Sequence, residues 1–195
     1  MGMPCVFVRL TGCNLRCAWC DTEYSFYEGK KMSHAEILDT IDGYGCKLVE
    51  ITGGEPLAQE GVHELMTTLC EKGYEVLLET SGSISIANVD RRVRRIVDIK
   101  CPGSGMVKEN LWENISHLKP TDEVKFVVGN EEDFLWSLEI VKKYGLETVC
   151  PILMSPVFGD VQPIDLANWI LESRINARFQ LQMHKFIWEP ATRGV

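Results

Sequence analysis

The chain has 195 residues, 45% hydrophobic and 25% charged, with 28 Asp and Glu against 20 Lys and Arg for a formal charge of −8. This is the balance of one folded domain, too short for two comfortable ones, and it excludes disordered and fibrous classes. Net negative charge repels phosphate backbones and anionic lipid, no apolar run approaches a spanning helix, and Met1-Gly2-Met3-Pro4 opens no signal peptide, so a soluble cytoplasmic protein with no nucleic-acid or membrane partner is expected.

In chain order, Val6-Phe7-Val8-Arg9-Leu10 reads as a strand running into a cysteine-rich loop. Ser33-His34-Ala35-Glu36 has the capping-box pattern and opens a helix through about Tyr44. Lys47–Ile51 is a strand ended by Gly53-Gly54. Leu57 to Lys72 reads as a helix with Val62, Leu65, Met66 and Leu69 on one face and Gly73 as its stop. Further strands are predicted at Tyr74–Glu79, Val93–Lys100, Glu123–Val128, Thr148–Leu153 and Arg178–Gln182, with helices at Glu131–Tyr144 and Ile164–Ser173. Helix and loop do not separate over Ile84–Asp90 and Met106–Leu118. Strands and helices alternating at this spacing predict an α/β fold, a parallel sheet with outer helices closed or partly closed into a (β/α) barrel, in one domain spanning 1–195. Such folds place chemistry at the C-terminal ends of the strands. The unusual residues fall there: the cysteine loop after the first strand, Thr52-Gly53-Gly54-Glu55 after the second, Glu79-Thr80-Ser81-Gly82 after the third and Asp98–Pro102 after the fourth.

Of eight cysteines, Cys13, Cys17 and Cys20 lie within eight residues of one another, a Cys-x3-Cys-x2-Cys spacing, while the others stand alone. Three clustered thiolates suit soft metals. A structural zinc site needs four ligands, usually from two separated pairs, and no second Cys-x-x-Cys exists. A cubane held by three cysteines leaves one iron open, as catalysis requires. An iron–sulfur cluster is therefore the favoured reading and zinc the alternative. Isolated Cys46, Cys70 and Cys150 read as core residues, Arg91, Arg92, Arg94 and Arg95 as a solvated basic run, and Trp112, Trp136, Trp169 and Trp188 as packing residues.

The cysteine spacing, with aromatic Trp19 before the last cysteine, resembles the radical S-adenosylmethionine superfamily. Thr52-Gly53-Gly54-Glu55-Pro56 is similar to that superfamily's glycine-glycine-glutamate turn. The resemblance implies a partial barrel of the radical S-adenosylmethionine type. It also implies a [4Fe–4S] cluster on Cys13, Cys17 and Cys20, S-adenosylmethionine on the open iron, and reductive cleavage to a 5′-deoxyadenosyl radical. The run from Phe7 to Thr22, with Asp98–Gly105, Val124–Val128 and Gln182-Met183-His184-Lys185, resembles more narrowly the 7-carboxy-7-deazaguanine synthase family of queuosine biosynthesis. That family's activity is ring contraction of 6-carboxy-5,6,7,8-tetrahydropterin with loss of ammonia, a carbon–nitrogen lyase reaction.

Carried over by residue, the resemblance implies that Trp19, Cys20 and Asp21 line the S-adenosylmethionine site. Gly54 and Glu55 hold its amino-acid end, and Asp98, Ile99 and Lys100 contact the same molecule. Thr22 corresponds to the Mg²⁺ position; Arg9 and Thr52 correspond to substrate contacts, with His184 a further candidate. Arginine suits a bidentate grip on a carboxylate. A homodimer and an external electron donor are implied too. The family opens on a segment carrying a Gln-Gly-Glu motif that reads the pterin, and this chain starts just after it. The expectation is a site complete for cluster and cofactor, with part of the substrate wall either encoded upstream of Met1 or missing. Two other readings stay open: a small activating enzyme that installs a glycyl radical on a partner protein, and a non-enzymatic zinc or electron-transfer module.

Overall fold

The computed structural model describes residues 2–193. Its centre is one seven-stranded sheet in the order β1-β2-β3-β4-β5-β6-β7, every neighbouring pair parallel. The strands are β1 Val6–Leu10, β2 Leu48–Gly53, β3 Glu75–Thr80, β4 Arg94–Asp98, β5 Glu123–Val128, β6 Ile152–Pro156 and β7 Ala177–Phe179. The helices are α1 His34–Gly43, α2 Val62–Glu71, α3 Glu131–Tyr144, α4 Pro163–Ser173 and the short α5 His184–Ile187. Sequence order equals spatial order, so β1 and β7 form the two edges of an incompletely closed barrel. No helix among the described residues is long and apolar enough to cross a membrane.

Period-two alternation sorts the side chains onto two faces. Val49 and Ile51 of β2, Val76 and Leu78 of β3 and Val97 of β4 pack with Ile41, Val62, Leu65, Met66 and Leu69 from α1 and α2. Val124, Phe126 and Val128 of β5, with Ile152 and Met154 of β6, form a second cluster with Phe134, Ile140, Val141, Leu166 and Ile170 from α3 and α4. Each such fully buried side chain stabilises the fold by roughly 1.5–3 kcal/mol relative to exposure. The Ser33 cap is as predicted: Glu36 N donates to Ser33 Oγ at 3.3 Å and Ser33 N donates to Glu36 Oε2 at 2.7 Å.

Four expectations need correction. The helix predicted over 57–72 begins only at Val62: Pro56–Ala58 form a 3₁₀ turn, and Gly61, at φ 78°, holds a left-handed conformation that breaks the run. The strand predicted from Thr148 begins at Ile152, because Leu146–Thr148 make a 3₁₀ turn and Cys150 N donates back to Leu146 O. Trp188 is 46% exposed rather than packed. Arg95 is no solvated residue either. Alternation turns it to the helix side, where Nε and Nη2 donate to Asp122 Oδ2 at 2.9 and 2.5 Å. Asp122 is fully buried and also accepts from Arg95 N, Lys119 N and the Lys119 ammonium. The ambiguous stretches at 84–90 and 106–118 are turns and 3₁₀ segments.

Candidate active site

The loop after β1 is shaped by its own backbone. Gly12 N donates to Ser25 O at 2.8 Å, Cys20 N to Cys17 O at 3.2 Å, and buried Leu15 anchors the middle of the loop. The Arg16 guanidinium donates to Cys13 O and Leu15 O at 2.8 and 2.6 Å and lies 4.3 Å from the Phe26 ring centroid. Cys13, Cys17 and Cys20 are all free and partly buried. Burial raises the Cys13 and Cys17 thiols above the ordinary value, while the Lys100 ammonium pulls both down. Thr22 starts the 3₁₀ turn Glu23–Phe26 without spending its hydroxyl on a cap, and Oγ1 lies 3.8 Å from Cys20 Sγ.

The turn after β2 is fastened directly to this loop. Gly54 N donates to Leu10 O at 3.0 Å and Glu55 N to Gly12 O at 2.9 Å. A Cβ at Gly54 would stand 2.1 Å from Gly12 O and 2.8 Å from Cys13 Cβ, so only glycine fits. Glu55 is completely buried. Its carboxylate accepts from Leu57 N at 3.0 Å, from Thr80 Oγ1 at 2.8 and 3.0 Å, and from Ser81 N and Oγ at 2.7 and 2.5 Å. Ser81 Oγ in turn lies 2.8 Å from Ser83 Oγ, which accepts from Asn14 Nδ2 at 3.0 Å. Glu55 thus ties the ends of β2 and β3 back to the cysteine loop, and its oxygens are already taken by protein donors.

At the end of β4, the Lys100 ammonium donates to Asp98 Oδ2 at 2.6 Å. Burial works against that ammonium, but the Asp98 carboxylate and the negative charge of an ionised Cys17 outweigh it and hold the Lys100 pKa above its usual value. Asn110 fixes the strand end from both sides, accepting from Lys100 N at 2.8 Å and donating to Lys100 O at 2.9 Å. Ile99 is buried, and its N–H donates to Lys125 O. Asp98 Oδ1 is buried without a partner among the described residues. An orphaned carboxylate oxygen at a strand end costs free energy unless a ligand donor meets it.

The inner face of the sheet carries charge. Arg9 is opposite Thr52 across β1 and β2, and its Nη1 donates to Gly53 O at 3.5 Å. Lys125 donates to Glu79 at 2.5 Å; its charge is the main cause that brings the Glu79 carboxyl down to about 2. Burial, and then the neighbouring Glu79, push Glu50 up to about 8. His184 starts α5; burial and Lys185 lower its pKa, Asp21 raises it, and Arg9 lowers it further, so the C-terminal segment lies near β1. Asp21 Oδ2 accepts from Gln182 Nε2 at 2.6 Å and pairs with Lys185 at 3.2 Å.

Apart from Ile99, whose side chain packs into the helix-side cluster, the candidate residues therefore belong to the rim and inner face at one end of the sheet. Among the described residues no three His, Cys, Asp or Glu side chains converge on one metal ion. The donor chemistry fits an iron–sulfur cluster with S-adenosylmethionine: three free thiols on one loop, a cation that favours thiolates, and a carboxylate oxygen lacking a donor. Sequence reasoning assigned no role to Asn110, Ser81 or Ser83, and it quoted Gln182 only as part of a motif. Ser81 and Gln182 had a signal, one in its place at a strand end and the other in the Gln182–Lys185 motif; Asn110 and Ser83 are single polar residues with none.

Residues 7–170 match the family model for the radical SAM superfamily. The chain is 47% identical to the 7-carboxy-7-deazaguanine synthase of Koribacter versatilis (strain Ellin345), with 100% of this chain and 92% of that protein covered. It is 42% identical to the 7-carboxy-7-deazaguanine synthase of Chlorobaculum tepidum, covering 100% and 90%. Among solved structures, the crystal structure of QueE from Escherichia coli is similar with a TM-score of 0.73 at 24% identity, over 93% of this chain and 86% of that one, a likeness of fold.

Proposed function

This chain belongs to the radical S-adenosylmethionine superfamily and, within it, to the 7-carboxy-7-deazaguanine synthases, and on that premise we propose that it contracts the ring of 6-carboxy-5,6,7,8-tetrahydropterin to 7-carboxy-7-deazaguanine with loss of ammonia. Membership brings a [4Fe–4S] cluster and S-adenosylmethionine, which when bound supply reductively triggered radical chemistry. In this reading Cys13, Cys17 and Cys20 hold the cluster. Trp19, Cys20 and Asp21, the Gly54-Glu55 turn and Asp98, Ile99 and Lys100 frame S-adenosylmethionine. Asp98 Oδ1 is the acceptor with capacity to spare, while Glu55 acts through the backbone it fixes.

Arg9 grips the substrate carboxylate, Thr52 packs beside it, and His184 borders the same space from the C-terminal segment. Thr22 offers its hydroxyl, which caps no helix, to Mg²⁺, a hard cation that keeps waters and takes substrate oxygens. An external one-electron donor and a homodimer complete the proposal. The observation that carries it is the bond from Glu55 N to Gly12 O, which locks the glycine-glycine-glutamate turn onto the three-cysteine loop.

The test is anaerobic incubation of reconstituted protein with the carboxytetrahydropterin, S-adenosylmethionine, Mg²⁺ and reductant. The expected product is 7-carboxy-7-deazaguanine with release of ammonia. Cleavage of S-adenosylmethionine without a deazapurine would leave the cofactor assignment standing and overturn the substrate.

A further inference from the structure

Trp19 stands between the second and third cysteines of the loop, and its ring enters a slot whose walls are backbone. A Cβ on Gly129 would lie 2.6 Å from the indole Cζ3 and 3.0 Å from Cη2; one on Gly103 would lie 3.0 and 3.1 Å from the same atoms. A larger residue at Gly129 collides with the ring, and one at Gly103 collides with Asp133 Oδ2 at 2.6 Å and crowds the same edge of the ring. Gly103 follows β4 and Gly129 follows β5, so the slot is built from two loops with no covalent reason to keep their spacing.

Asp133, in the first turn of α3, sets that spacing. It is 1% exposed. Oδ1 accepts from Gly103 N at 2.8 Å and Oδ2 from Gly129 N at 3.1 Å, one carboxylate oxygen for each wall. Its own N–H donates to Asn130 Oδ1 at 2.8 Å, the N-cap of α3, and the helix N-terminus favours the charge. One residue beyond Gly103, Ser104 O accepts from Ala18 N at 3.0 Å, so the cysteine loop is bonded to the same wall through its backbone.

We infer that Asp133 is a positioning residue for the iron–sulfur centre: by clamping Gly103 and Gly129 against the distal edge of the Trp19 ring, it fixes where the Cys17–Cys20 segment presents its sulfurs and the backbone between them. This rests on the reading that Cys17 and Cys20 ligate the cluster. Asp133 touches neither sulfur nor substrate. It acts through the ring.

The test is a size-compensation cycle. Gly129→Ala pushes the indole out; Trp19→Phe withdraws the distal edge of the ring; the double variant restores the fit. Measured quantities are iron and sulfide per chain after anaerobic reconstitution, the rate of cluster loss to a chelator, and the spectrum of the reduced cluster by electron paramagnetic resonance with and without S-adenosylmethionine. Gly129→Ala is expected to lose its cluster about tenfold faster than the unaltered protein, the scale of a lost outer contact at a metal site. Its spectral response to S-adenosylmethionine should be weakened. The double variant should return both to the level of Trp19→Phe alone. Asp133→Asn preserves shape but sets an amide donor against one glycine N–H; it should accelerate cluster loss in the same direction, and it serves if Gly129→Ala does not fold. Wild-type retention and spectra in Gly129→Ala, or a double variant no better than Gly129→Ala, would overturn the inference. Unaltered protein that takes up no iron would instead remove the cluster reading itself, and the inference with it.

Discussion

The two faces of the sheet obey different rules. On the helix side, β5 offers Val124, Phe126 and Val128 to α3 and α4, all three fully buried. On the inner side the same strand offers Lys125, which must find Glu79, and neighbouring strands add Arg9, Glu50 and Asp98. A parallel sheet is ordinarily apolar on both faces. Here apolarity is given up on one side, and charges remain there because they are paired or await a ligand. On the helix side of the strands, charge is buried at Arg95–Asp122, with the carboxylate saturated. A charged group in this fold thus marks function where a ligand can reach it and architecture where none can.

Variants sharpen that contrast, beginning with the largest effect. Cys17→Ala should abolish S-adenosylmethionine cleavage while leaving the helix-side core intact, read by product analysis beside a thermal melt. Residual cleavage would place the cluster elsewhere. On the other face, Asp122→Ala strands Arg95 and Lys119 in a buried site and should cost about 3–5 kcal/mol in urea unfolding, with the rim chemistry of surviving folded protein unchanged. A loss below about 1 kcal/mol would mean that water already reaches the pair.

Glu50→Gln reports on the inner face through pH. The Glu50 carboxyl titrates near 8 when folded against an ordinary 4.5, so the folded chain keeps a proton that the unfolded chain releases. Wild-type stability gains from this group below about pH 4.5 and loses that gain as pH rises towards 8; the groups facing it are Glu79, Lys125, Arg9 and Cys5. The glutamine variant should therefore gain on wild type between pH 5 and 8, seen as a widening gap in urea midpoints. A constant gap would show that Glu50 is already ionised at pH 5. Smallest of all, Arg178→Ala breaks an exposed pair with Glu123 and should change stability by less than about 1 kcal/mol.

The sequence was most readable where one pattern repeats. Alternating Val, Ile and Leu with a capping box and strand-end glycines were enough for seven strands, four main helices and the partial barrel, with β5 and α3 placed to the residue. Misplacements came where a local 3₁₀ turn replaced an apolar run, as at Pro56–Ala58 and Leu146–Thr148. The cysteine spacing and the Gly-Gly-Glu turn were legible because their chemistry is local. The face on which Arg95 sits was not legible from a run of four arginines in five positions. Nor was the tie between Asp133 and a tryptophan over a hundred residues earlier, since a single carboxylate at a helix start looks like any other N-terminal acid.

The gap between β1 and β7 is bridged among the described residues by side chains alone. Asp21 on one margin meets Gln182 and Lys185 from the other, and Arg193 meets Glu28 at 3.0 Å. Strand ladders are indifferent to ionic strength, whereas exposed charge contacts weaken as salt rises. The seam between the two edge strands is consequently the salt-soft part of the closure: it is held by a few side-chain latches, and they can part with every rung of the sheet left in place.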